Sequence, residues 1–201
     1  MKKISRAFVF NAFFLLLMSC NGSSNKVVKT EETLEKAISN SQQSKIIENK
    51  IFLGFRFGMT EKQVISHLDS LVSSKKVYRN EEGAYQYDFI TDSGLILKTT
   101  FNADYHKGEL YKMVYLMRGD LTAKYAAMVA HTFHKTGYKG FIKDDALGDT
   151  KFTYVKDNII VYFDNPAFTE MVYENSPISK LVEEERKVEL EKKVNSTKSD
   201  F

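Results

Sequence analysis

The strand-like runs of this chain are joined by connections too short to cross a sheet, and that restricts them to antiparallel hairpins. Tyr85–Thr91 alternates Tyr85, Tyr87 and Phe89 with Gln86, Asp88 and Ile90. Asp92-Ser93-Gly94 turns tightly into a second run, Leu95–Phe101, and a looser Asn102–Gly108 loop leads to a third, Leu110–Met117. Parallel neighbours need a crossover of about a dozen residues or more, so these runs read as a meander. A second set follows at Tyr138–Ile142, Lys151–Val155, Asn158–Asp164 and Thr169–Tyr173. Lys156-Asp157-Asn158 makes one of its turns, and Pro166 closes another hairpin.

Each set is headed by a helix signal. Thr60 with Gln63 three residues on is a capping box, in which two side chains satisfy the free N–H groups of a first turn. Val64, Ile65, Leu68, Leu71 and Val72 then recur at helical spacing, which predicts a helix over 61–73. Asp120 or Thr122 caps a second helix over 122–136, with Leu121, Tyr125, Met128, Val129 and Phe133 on one face and Gly137 as its stop. The chain therefore divides into a helix-plus-meander unit at 51–118 and another at 119–175, the expected class being α+β. The repeat is architectural, with no residue-for-residue match, and the residues alone leave open whether the halves share one sheet. Residues 176–201 carry a last helix from Ile178 to about Val194, where Glu183–Lys187 and Glu189–Lys193 are stabilising i,i+4 pairs. Its apolar face is thin, so a solvated terminal helix is the first reading and a partner-binding helix the second.

The other end of the chain reads as an address. Lys2, Lys3 and Arg6 precede an apolar run, Ala7–Leu17, that is too short to span a bilayer and suits a signal peptide. The run closes Leu17-Met18-Ser19-Cys20, which resembles a lipobox, and Cys20 is the only cysteine. Residues 1–19 are thus expected to be removed and Cys20 to be acylated, with palmitate among the chains, each buried methylene contributing about 0.8 kcal/mol of anchorage. The expected location is the cell envelope, tied to a membrane (the outer one first) and facing the periplasm. Residues 20–50 are rich in Ser, Asn, Gln, Lys and Glu and hold no aromatic residue after Cys20. Such a composition buries too little to fold alone, so the segment reads as a flexible tether with a transient helix over Thr30–Ile38. Three of the 29 basic residues lie before Cys20, leaving 26 against 26 acidic ones. A neutral mature chain argues against nucleic-acid binding, which needs uncompensated Lys and Arg.

No constellation nominates an active site. His131 and His134 stand at i,i+3 and could approach one Zn²⁺, but the motif lacks the glutamate of His-Glu-x-x-His and a third ligand. Asp144, Asp145 and Asp149 do not match the calcium-loop spacing and read as a solvated turn. No phosphate loop or nucleophile elbow occurs, and no cofactor or metal is expected. The aromatic content says more. With 11 Tyr and 15 Phe, several strands are apolar on both sides, and in Leu110–Met117 the side made by Tyr111, Met113, Tyr115 and Met117 is a candidate binding face. A covering element over that side is the structural alternative.

Phe57-Gly58-Met59-Thr60-x-x-Gln63-Val64, behind a lipoprotein signal and heading a helix and a meander, resembles the SmpA/BamE and β-lactamase-inhibitor-protein type of small α+β domain. The resemblance covers Phe55–Val72 in sequence and Phe55–Glu174 in pattern. It implies two helix-plus-meander units forming one curved antiparallel sheet with helices packed on one face. It also implies an envelope assembly or inhibitor role rather than an enzyme, and no functional residue carries over. The expectation is a lipid-anchored, non-catalytic module that binds an envelope protein. The alternative is a small-molecule or lipid carrier that uses the aromatic sheet face.

Overall fold

Thr60 opens a helix as its sequence predicts. In a computed structural model describing residues 32–90, 94, 96–118, 137–144, 150–164 and 169–198, its hydroxyl accepts from the Gln63 N–H while the Gln63 side chain accepts from the Thr60 N–H. That capping box starts helix α2 (Glu61–Ser73), which buries Val64, Leu68 and Leu71. Ahead of it lie α1 (Leu34–Gln42) and a single 3-10 turn, Phe52–Gly54. The strands are β1 (Tyr78–Arg79), β2 (Tyr85–Ile90), β3 (Ile96–His106), β4 (Glu109–Arg118), β5 (Lys139–Asp144), β6 (Thr150–Lys156), β7 (Ile159–Asp164) and β8 (Thr169–Asn175). Helix α3 (Ser176–Lys198) ends the described chain.

All eight strands join one antiparallel sheet in the order β1-β2-β3-β4-β8-β7-β6-β5. Each half is a four-stranded meander, and the halves meet through their last strands, β4 and β8, from Lys112↔Glu174 to Met117↔Thr169. The expected helix over 122–136, the signal peptide with Cys20, and the loop holding Asp145 and Asp149 lie outside the described residues.

Two faces can be told apart by alternation along the strands. One carries Leu97, Met113, Tyr115, Met117, Tyr154, Ile159, Val161, Met171 and Tyr173, and on it pack α2 and a strap containing Ile51, Phe55 and Phe57. The strap is tied down by backbone bonds, Gly58 N–H to Leu110 C=O at 2.9 Å and Leu110 N–H to Met59 C=O at 2.8 Å. It turns sharply at Leu53 and Gly54, both at positive φ, and a Cβ on Gly54 would meet the His67 ring at 3.6 Å. The other face carries a smaller cluster of Ala37, Val155 and Ile160. Val155 and Ile160 are cross-strand partners that alternate with Tyr154 and Val161, so α1 lies on the side opposite α2. The expectation that the helices of the two units share one face involves the helix over 122–136, which lies outside the described residues.

Three departures from the sequence reading have physical causes. Residues 34–42, expected within a free tether, form a docked helix because Ala37 and Ser41 are small enough to sit flush on the sheet. The loop expected over Asn102–Gly108 is instead the end of β3, with Phe101, Ala103 and Tyr105 facing the main core, and it closes through Lys107-Gly108 at φ 51° and 84°. The pair β1, two residues long, carries no periodic signal and is fixed by contacts described below.

Candidate interaction surface

The four side chains named as a candidate binding face are enclosed, in line with the covering-element alternative. Tyr111, Met113, Tyr115 and Met117 are 6%, 0%, 0% and 1% exposed. They also do not share one side. The β3–β4 register shifts between Asp104↔Lys112 and Tyr105↔Leu110, leaving Tyr111 as the extra residue of a β-bulge. Leu110 and Met113 thereby both join the main cluster, while the Tyr111 ring meets His106 edge-on at 6.5 Å. Sequence alternation misassigned Tyr111 because it assumed an unbroken strand.

Tyr115 sits where the strap crosses the sheet. Its hydroxyl donates to the Phe52 carbonyl at 2.9 Å. Its ring lies 5.5 Å from Phe52, 5.7 Å from Phe101, 6.5 Å from Phe55 and 5.7 Å from Tyr173, all near edge-on. Each such pair adds about 0.5–1.5 kcal/mol beyond burial. Loss of water raises the cost of a phenolate here, and burial pushes the Tyr115 and Tyr173 hydroxyls well above the usual range. These residues hold the domain together and offer nothing to a partner from within it.

The histidines of the described residues serve similar ends. His67 Nε2 lies 3.0 Å from the Leu53 carbonyl, and its ring stands edge-on to Phe55 at 4.7 Å. His106 Nε2 lies 2.9 Å from Glu185 of α3, and Lys107 Nζ is 3.4 Å from the same carboxylate. The hydrogen bond from His106, aided by Lys107, holds the Glu185 carboxyl below its ordinary pKa. Among the described residues no three His, Cys, Asp or Glu side chains cluster as a metal site. His131 and His134 lie outside the described residues.

What the fold leaves accessible is at its edges. At one end of the sheet β1 is short and heavily tied. The Tyr78 hydroxyl donates to Asp88 at 2.7 Å, the Tyr85 hydroxyl donates to Asp69 at 2.6 Å, and Arg79 bonds Asp69 at 3.2 Å. The Arg79 guanidinium also stacks 4.0 Å over the Tyr85 ring. The bond from Tyr85, with Arg79 beside it, draws the Asp69 carboxyl down. Short, charged, cross-tied edges resist further pairing. The other end is β5, six residues long, with no strand on its outer side among the described residues. It presents Ile142 at 69% exposure. Ile90 and Ile96, direct partners across β2 and β3, add a smaller apolar spot at 63% and 55%. In comparisons with known proteins, no family model matches the chain, no curated protein matches it, and no solved structure matches it.

Proposed function

We propose that this chain is a lipid-anchored, non-catalytic module of the cell envelope that binds a partner protein through the β5 edge of its sheet. The observation that carries the reading is the asymmetry of the two edges. One is blunted by a tied two-residue strand, and the other is a six-residue strand with a bare isoleucine. An open strand of that kind recruits an extended segment by backbone hydrogen bonding, with side-chain contacts adding specificity. The anchor rests on Cys20, the only cysteine, at the end of an apolar leader. In this reading the module sits on a membrane facing the periplasm, the outer membrane first. The helix-plus-meander order fits the SmpA/BamE-type resemblance, whose members are binding proteins. A carrier would need room on the aromatic face, which Phe52, Phe55 and α2 fill.

The test is capture of partners from envelope extracts after mild cross-linking, using the lipidated chain, Cys20→Ala and Ile142→Asp. The exposed Ile142 tolerates a carboxylate, so its variant is expected to fold with an unchanged thermal midpoint. It should lose the partner that the parent chain retains. Undiminished capture by Ile142→Asp would remove β5 from the interface.

A further inference from the structure

Helix α1 packs against β6, β7 and α3 with little side-chain burial of its own. It has nine residues, below the roughly 12–15 at which a helix sustains itself in water. It buries only Ala37 and Ser41. The Ser41 hydroxyl is enclosed at 2% exposure with no hydrogen-bond partner among the described residues, which works against docking. Polar ties at its rim include one to β5. Lys139 Nζ of β5 lies 2.9 Å from Glu32, which also accepts from Asn40 at 2.7 Å.

The chain on the far side of α1 is built to stay. Glu48 N–H donates to Asn158 Oδ1 at 2.8 Å, and Phe57 N–H donates to the Asn49 carbonyl at 2.8 Å. Between these fixed points and α1 runs Gln43–Ile47, where Ser44 N–H donates to the Ser41 carbonyl and Ile46 N–H to Ser44 Oγ, both local bonds. Ile46 and Ile47 there are 61% and 82% exposed. The segment has the character of a hinge.

We propose that α1 is a releasable cover. It leaves the sheet as a unit while the sheet stays folded, and it uncovers an apolar strip of Phe141, Val155, Ile160 and Tyr162. Phe141 adjoins Ile142, so the strip widens the β5 edge onto the neighbouring face. Its occupant after release is an amphipathic helix of the envelope partner, with small side chains on its docking face and a carboxylate for the Lys139 ammonium left behind by Glu32. That occupant rests on the function proposed above, whereas the release itself does not. Only eleven residues separate Cys20 from Glu32, which makes α1 the first described element after the anchor of the proposed function.

Hydrogen exchange of the full chain tests the release. Amides of α1 are expected to exchange at least tenfold faster than those of α2, with β6 and β7 protected throughout. Ser41→Ala removes the orphaned hydroxyl and should slow exchange in α1 by about tenfold, equivalent to about 1.4 kcal/mol. Ala37→Glu should abolish protection in α1 and leave that of β6 and β7 unchanged. Exchange of α1 in step with the sheet in the parent chain, or failure of Ala37→Glu to fold, would make α1 an integral part of the domain and overturn the proposal. The occupant is tested apart, by whether Ala37→Glu captures more partner than the parent; no gain would overturn the assignment of the strip to the partner.

Discussion

Tyr115 offers the sharpest check on the packing. Removing its hydroxyl with Tyr115→Phe deletes the bond to the Phe52 carbonyl and leaves that acceptor without its donor. The cost is about 1.5 kcal/mol, a net hydrogen bond plus part of the desolvation of an unpaired group. Tyr115→Ala also removes a ring that is fully enclosed and flanked by Phe52, Phe55, Phe101 and Tyr173. Large aromatic truncations in cores cost about 3–5 kcal/mol through lost transfer energy and the cavity left behind. For a chain of this size each kcal/mol moves the thermal midpoint by roughly 2–4 °C. Circular dichroism melts should therefore show a fall of about 3–6 °C for Tyr115→Phe and about 6–20 °C for Tyr115→Ala. A Tyr115→Ala midpoint within about 2 °C of the parent would mean that the side chain faces water, and the account of the main cluster would fail.

Thr60→Ala should lower stability by about 1 kcal/mol, seen as a shift in urea midpoint at unchanged slope, because it removes one arm of the capping box. Alkaline pH should also destabilise the fold. Burial, with Glu48 and Asp157 nearby, pushes the Tyr138 phenol from 10.0 up to about 12. A group whose folded pKa is raised contributes its full stability below pH 10, and that contribution is lost as pH rises from 10 to about 12. Urea midpoints measured across that window should fall, less steeply in Tyr138→Phe; a flat profile would contradict the burial of these phenols.

Much of the fold was legible because its signals are local. The Thr60–Gln63 pair placed the start of α2 correctly, and short connections forced antiparallel pairing in both halves. The candidate surface was less legible. The bulge at Tyr111 is set by the β3–β4 pairing, and nothing in Leu110–Met117 itself announces it. The helical tendency around α1 was legible but its docking was not, because Ala37 and Ser41 pack by being small and leave no apolar stripe to find. The end of β3 was readable after all, since Phe101, Ala103 and Tyr105 keep a period of two; the polar residues between them, Asn102, Asp104 and His106, mimicked a loop. The place of β5 at the edge among the described strands depends on strand order, which no local pattern encodes.

The seam between the two meanders has a consequence for how the chain is made. β4 is the last strand of the first half and waits for β8, the last strand of the second, before its outer edge is covered. On the ribosome, or during any passage that delivers the N-terminus first, Lys112–Met117 is complete while its partner at Thr169–Glu174 has yet to appear. Throughout that interval the nascent first half carries an unpaired, strongly apolar strand. A chain cut short anywhere before Thr169 would keep that strand open for good, so truncated products should associate with one another through β4.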